Sequence, residues 1–265
     1  MKVRGLFSAC QSSSTYNIIQ FSNEQNACEG QVTGLMPFIS SYAHLAAYHI
    51  KTLWLFTFSD LKTIVIPSTI FGITNALAAP VYRIRPTLES SDMIWRVPVV
   101  FLWVWFNLIP FAINNQRTPL AIAEDSANKP WRPLPRGRLT PAHAKILMVC
   151  FYIAVPIVSV AVNGGLRQGI CLVFLGTWYN NFGGADHHPV LRNTINALGY
   201  SCFTSGAMEV ALAAPLPLST TGPFSRWFAI LAGIILTTVH TQDMYDQEGD
   251  AIRNRRTMPL VVGDV

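Results

Sequence analysis

Apolar residues in this chain fall into long runs broken by short polar stretches. Six runs stand out, at about Leu61–Tyr82, Met93–Ile113, Ile146–Val162, Gly169–Phe182, Thr194–Leu218 and Trp227–Thr241. Each is near the ~20 residues that cross a bilayer as a helix, allowing for tilt and breaks. Backbone groups in lipid must be satisfied within the segment, so the runs predict helices and an all-α, polytopic transmembrane bundle of about six spans. Before them, Tyr42 to Phe58 is aromatic and mildly amphipathic, with His44, His49, Lys51, Trp54 and Phe56, and suits a helix lying at the interface. Residues 1–40 are polar and lack a compact apolar core, so they predict a disordered cytosolic tail and no cleaved signal peptide.

Composition supports this reading. Hydrophobic residues make up 51% and charged residues 12%, about half the charged share of a soluble domain, and the mean hydropathy is +0.32. The partner implied is the lipid bilayer. The formal net charge of +5 comes mostly from loops, not from one face of a soluble domain, so a nucleic-acid partner is excluded. The five cysteines include no CxxC; Cys150, Cys171 and Cys202 lie in apolar runs and read as packing residues.

Against that background two polar stretches carry the chemistry. In Asp243-Met244-Tyr245-Asp246-Gln247-Glu248-Gly249-Asp250 the aspartates sit at i, i+3 and i+7, which on a helix places three carboxylates on one face. Carboxylates so close repel and need a cation between them. Oxygen ligands of this kind suit Mg²⁺ or Mn²⁺, and Mg²⁺ commonly shares its shell with substrate phosphates. The second stretch is the polar loop Asn114 to Lys145. It offers Asn115, Gln116, Glu124 and Asp125, then Lys129, Arg132, Arg136 and Arg138. Acid followed by base fits metal-bridged diphosphate binding: carboxylates hold the metal and cations hold the oxygens. A positive-inside loop accounts for the basic residues alone. Both stretches follow even-numbered spans and therefore share a side, which the basic loop assigns to the cytosol.

Other polar positions keep two readings. Lys62 is a snorkelling anchor or a diphosphate contact. Asp60 before it suits a helix cap. Glu209, at membrane depth, is a functional acid or the partner of another helix. His187 and His188 are adjacent and would point apart on a helix, which disfavours a metal site.

The two stretches resemble the UbiA superfamily of intramembrane prenyltransferases. Asp243-x-x-Asp246-x-Glu248-Gly249-Asp250, followed by Arg255-Arg256-Thr257-Met258-Pro259, is similar to the family's second aspartate motif and its trailing signature. Asn128-Lys129-Pro130-Trp131-Arg132-Pro133-Leu134-Pro135-x-Gly137 is similar to the segment after the first motif. The first motif departs: Asn115-Gln116 and Glu124-Asp125 are present, but the middle position near Ala121 has no acid. That departure, with Leu53-Trp54-Leu55-Phe56-Thr57, Ser59-Asp60-Leu61-Lys62, Trp178-Tyr179-Asn180 and Gly183-Gly184-Ala185-Asp186, resembles the fungal UbiA-type membrane-bound terpene cyclases.

The resemblance implies a nine-helix fold. Residues 41–265 would form its prenyl-diphosphate-binding domain without the last helices. It further implies an endomembrane (endoplasmic reticulum) location, with the mouth of the site facing the cytosol. The expected substrate is a prenyl diphosphate, farnesyl or geranylgeranyl, ionised with Mg²⁺ and cyclised in terpenoid secondary metabolism. Asp243, Asp246 and Asp125 are the expected catalytic residues. Asn115, Glu124, Asp125, Asp243, Asp246 and Asp250 are the expected metal ligands. Lys62, Lys129, Arg132, Arg255 and Arg256 would hold the diphosphate. The allylic cation needs a dry chamber, and Trp103, Trp105, Phe106, Trp178 or Tyr179 would either stabilise it or simply pack. Two alternatives stand beside cyclisation: prenyl transfer to an aromatic or quinone-precursor acceptor, and a non-catalytic membrane protein or inactive truncated isoform.

Overall fold

A computed structural model describes residues 41–217 and 221–263. The expectation for residues 1–40 lies outside the described residues. The chain divides into two units, Met1–Lys51 and Thr52–Val265. In the first, residues 41–51 are helical, and every residue of 41–51 is exposed.

In the second unit every regular element among the described residues is helical. Residues 52–60 form α1, which continues through one π-helical turn, Leu61–Val65, into α2, Ile66–Leu77. The helix does not begin at Asp60, so no orphan N–H awaits a cap there, and its side chain makes no capping bond. The remaining long helices are α3 (Met93–Gln116), α5 (Pro141–Ala161), α6 (Leu166–Asn181), α7 (Pro189–Leu212) and α8 (Pro223–Thr238).

The polar loop expected between spans two and three is partly helical. Thr118 caps α4, Pro119–Asn128, by accepting from Ala121 N, with Pro119 at the first helical position. Thr140 and Pro141 start α5 in the same way. A side-chain acceptor followed by proline is a strong helix start.

Among the described residues three helical segments are long and apolar enough to cross a membrane: Met93–Gln116, Pro141–Ala161 and Pro223–Tyr245, the last including the 3₁₀ stretch after α8. Helix α7 is equally long but more polar, for a structural reason. It packs against α2, α3, α6 and α8, so its polar groups find partners inside the bundle. Small residues permit this closeness: a methyl group on Gly206 of α7 would lie 2.2 Å from the Trp103 ring of α3. Trp103 is buried and donates its indole N–H to Ser159 Oγ of α5 at 3.0 Å.

Glu209 shows the same logic. Its carboxylate pairs with Arg167 of α6, accepts from Gly165 N at 3.0 Å and accepts from Leu216 N at 2.9 Å. Of its two readings, the structure favours the helix partner: this acid joins the α5–α6 turn to the chain after α7. Glu209→Ala leaves two amides without an acceptor and is expected to lower stability by about 3–5 kcal/mol. Glu209→Gln, which keeps an acceptor, should lose clearly less. Unfolding in detergent checks this, and equal losses for the two variants would refute the assignment.

Candidate active site

The second acidic stretch does not present one helical face. After α8 the chain tightens into a 3₁₀ segment, Val239–Tyr245, breaks at Asp246, and resumes as the short α9, Gln247–Ile252. The break fans the three aspartates toward different cations. Asp243 receives two bonds from Arg192 of α7, from Nη2 at 2.7 Å and from Nε at 3.1 Å. Asp246 pairs with Lys129. Asp250 accepts from Arg255 Nη1 at 3.1 Å. Separate guanidinium and ammonium partners relieve the carboxylate repulsion more completely than stacking on one face would.

Arg255 joins the two stretches. Its Nη1 donates to Glu124 Oε1 of α4 at 2.6 Å, its Nη2 donates to Asn115 Oδ1 of α3 at 3.0 Å, and its Nε donates to Asp186 Oδ1 at 3.1 Å. Arg253 adds a bond from Nη1 to Glu124 Oε2 at 3.1 Å. The backbones also meet: Asn128 Nδ2 donates to Asp246 O at 2.8 Å, and Asn128 Oδ1 accepts from Gly249 N at 3.1 Å. Only glycine fits there, because a Cβ on residue 249 would lie 2.3 Å from Asn128 Nδ2. Helix α4 therefore packs directly on α9.

Asp125 pairs with Arg132 Nη1 at 2.6 Å. Burial pushes the Asp125 carboxyl up to about 6, while Arg132 pulls it down and Glu124 pushes it up further. Burial also raises Asp250, against the pull of Arg192 and Arg255. One oxygen on each, Asp125 Oδ2 and Asp250 Oδ2, is buried without a hydrogen-bond partner.

Beside this cluster lies a narrow apolar cavity of about 50 Å³, walled by Ile64, Phe111, Leu172, Gly176, Ile195 and Phe203 among others. Tyr179 belongs to both regions. Its ring lines the cavity, and its hydroxyl accepts from Arg192.

Asn115, Glu124, Asp125, Asp243, Asp246, Asp250, Lys129, Arg132 and Arg255 thus lie within one set of linked ion pairs and shared neighbours. Lys62 and Arg256 stand exposed, and Arg256 touches the cluster through its backbone N–H on Asp186 O at 2.9 Å. Of the aromatic candidates only Tyr179 lines the cavity. Trp103 packs in the core, Trp105 donates to Thr57 Oγ1 at 2.9 Å, Phe106 packs on Phe151, and Trp178 is exposed. His188 caps α7 by accepting from Val190 N. The sequence reasoning missed Arg192 and Arg253, whose partners lie 51 and 129 residues away.

The UbiA prenyltransferase family matches residues 89–265. The chain is 32% identical to fumagillin beta-trans-bergamotene synthase af520 of Aspergillus fumigatus, over 84% of this chain and 71% of that one. It is 27% identical to polyprenyl transferase eriF of Hericium erinaceus, over 87% and 73%. Its fold resembles that of a UbiA homolog from Archaeoglobus fulgidus bound to GPP and Mg²⁺, with a TM-score of 0.54 at 15% identity, covering 76% of this chain and 68% of that one. Across four curated relatives the chain spans 63–73% of their lengths.

Arg255→Met leaves Glu124 and Asp250 short of a buried counter-charge and is expected to cost about 3–5 kcal/mol. Arg255→Lys should recover only part, since one ammonium cannot reproduce a planar fork that reaches four side chains. Denaturant unfolding of the two variants checks this, and a Met variant as stable as the parent would rule it out.

Proposed function

The chain belongs to the UbiA prenyltransferase family, and from that premise we propose that it ionises a prenyl diphosphate with Mg²⁺ and cyclises the chain to a terpene. The observation that carries this reading is the contact between segments more than a hundred residues apart, Arg255 with Glu124, beside an apolar cavity.

The donor set suits a hard divalent cation: carboxylates, the Asn115 amide, and two buried carboxylate oxygens with no partner. Asp125 and Asp250 would offer those oxygens, and Asp243, Asp246, Glu124 and Asn115 would join them on release from their present cations; among the described residues no three acids yet converge on one metal position. Bound there, Mg²⁺ supplies charge neutralisation of the departing diphosphate. Lys129, Arg132 and Arg255 hold diphosphate oxygens, and Lys62 and Arg256 reach the same group from the exposed rim. Preorganised cations of this kind favour the charge that develops as the C–O bond breaks. The apolar walls keep water from the allylic cation, and the Tyr179 ring offers it a π-face.

The mouth of the site faces the cytosol of an endomembrane in this reading, because the basic segment 129–138 lies there. In this reading the second unit, from Thr52 onward, acts as the prenyl-diphosphate-binding domain. A second reading, transfer of the chain to an aromatic acceptor, is favoured by the likeness to a polyprenyl transferase.

Membranes containing the protein, given farnesyl or geranylgeranyl diphosphate and Mg²⁺ alone, should release diphosphate and a cyclic hydrocarbon. Asp243→Ala and Asp246→Ala should each reduce product at least about 100-fold, and chelation should abolish it. Strict dependence on an added phenol would replace cyclisation with transfer. Product formation that survives both aspartate variants would remove the metal assignment.

A further inference from the structure

Helices α6 and α7 run antiparallel and in contact, and the Tyr179–Arg192 bond fixes their register. Eight residues back along α6, about 12 Å, lies Cys171; ten residues forward along α7, about 15 Å, lies Cys202. The register therefore sets the two thiols at the same level on facing helices. Both are free thiols, Cys171 exposed and Cys202 half-buried. Both line a second cavity, of about 240 Å³, together with Arg167, Gln168 and Ser205. That cavity is distinct from the one beside the acidic cluster. Its lining is largely apolar, with polar groups from Arg167, Gln168 and Ser205, and the exposed Cys171 gives a small oxidant its access to the pair.

We propose that Cys171 and Cys202 form a reversible dithiol–disulfide pair that cross-links α6 to α7. The oxidant is a peroxide. Cys171 Sγ attacks the O–O bond and becomes a sulfenic acid, with one water released. Cys202 Sγ then displaces the sulfenic oxygen as a second water and forms the S–S bond. The two electrons pass from the thiols to the peroxide, and a small-molecule thiol reverses the step by exchange. The cross-link lies directly behind the wall of the first cavity, because the neighbouring residues Leu172 and Phe203 line it. Oxidation would fix the spacing of the two helices that enclose that cavity. The inference does not depend on the reaction proposed above.

The test uses the full chain in membranes, treated with hydrogen peroxide, alkylated with N-ethylmaleimide and digested without reductant. The expected result is one cross-linked peptide joining Cys171 to Cys202, loss of alkylation at both, and retained alkylation at Cys150. Dithiothreitol should restore both labels. Cys171→Ser and Cys202→Ser should each abolish the cross-link. Separate alkylated peptides for Cys171 and Cys202 after peroxide would overturn the proposal, as would a bridge from either one to another cysteine.

Discussion

The structure depends on keeping charge buried in a chain that is largely apolar. Arg255 meets that constraint by reaching Glu124, Asp250, Asp186 and Asn115 at once, from four separate parts of the chain. Removing a carboxylate from water costs several kcal/mol, and this is offset only where opposite charge and hydrogen bonds replace the lost solvation. A guanidinium is suited to the task because its donors are planar, fixed and always charged. The local backbone follows from it. The chain turns from 3₁₀ to α at Asp246, and Gly249 lets α9 lie against Asn128, because both are needed to bring Arg253 and Arg255 back onto Glu124.

The bundle places this charged region next to an apolar one. Helices α6 and α7 each contribute to both: Tyr179 and Arg192 at the cluster, Leu172, Gly176, Ile195 and Phe203 at the cavity wall. Helix α7 is enclosed by its neighbours and can therefore carry Arg192 and Glu209, which a lipid-facing helix could not. The exposed apolar side chains lie instead on helices such as α5 and α8, where Ile153, Ile157, Ile230 and Ile234 face outward.

Much of this was legible in the sequence because it is written in local patterns. Long apolar runs announce helices, and counting them assigns residues 114–145 and 243–256 to the same side. What was illegible depends on long-range partners. Arg192 looks like an ordinary residue after a turn until Asp243 arrives from 51 positions away. The stacked-face expectation for Asp243, Asp246 and Asp250 assumed a continuous helix, and the cations supplied by Lys129, Arg192 and Arg255 made a broken one more favourable. The stretch from Asn114 to Lys145 reads as a loop, and that reading misses the helix starts that Thr118 and Thr140 form before their prolines. Cys171 and Cys202 read as isolated packing residues because helix register, not sequence spacing, brings them to one cavity.

The charge distribution also bears on what the cluster can accept. Six carboxylates, Glu124, Asp125, Asp186, Asp243, Asp246 and Asp250, face five cations, Lys129, Arg132, Arg192, Arg253 and Arg255. A region so near to balance has little affinity for a lone anion and only modest affinity for a lone cation. In the proposed function a divalent metal and a diphosphate arriving together would disturb it least, because each neutralises much of the other. The oxygens still open to a metal, on Asp125 and Asp250, belong to different segments. Both oxygens of Asp243 are already held by Arg192. In the proposed function a metal drawing Asp125 and Asp250 together would tie α4 to α9 by a second route, beside the one Arg255 already provides.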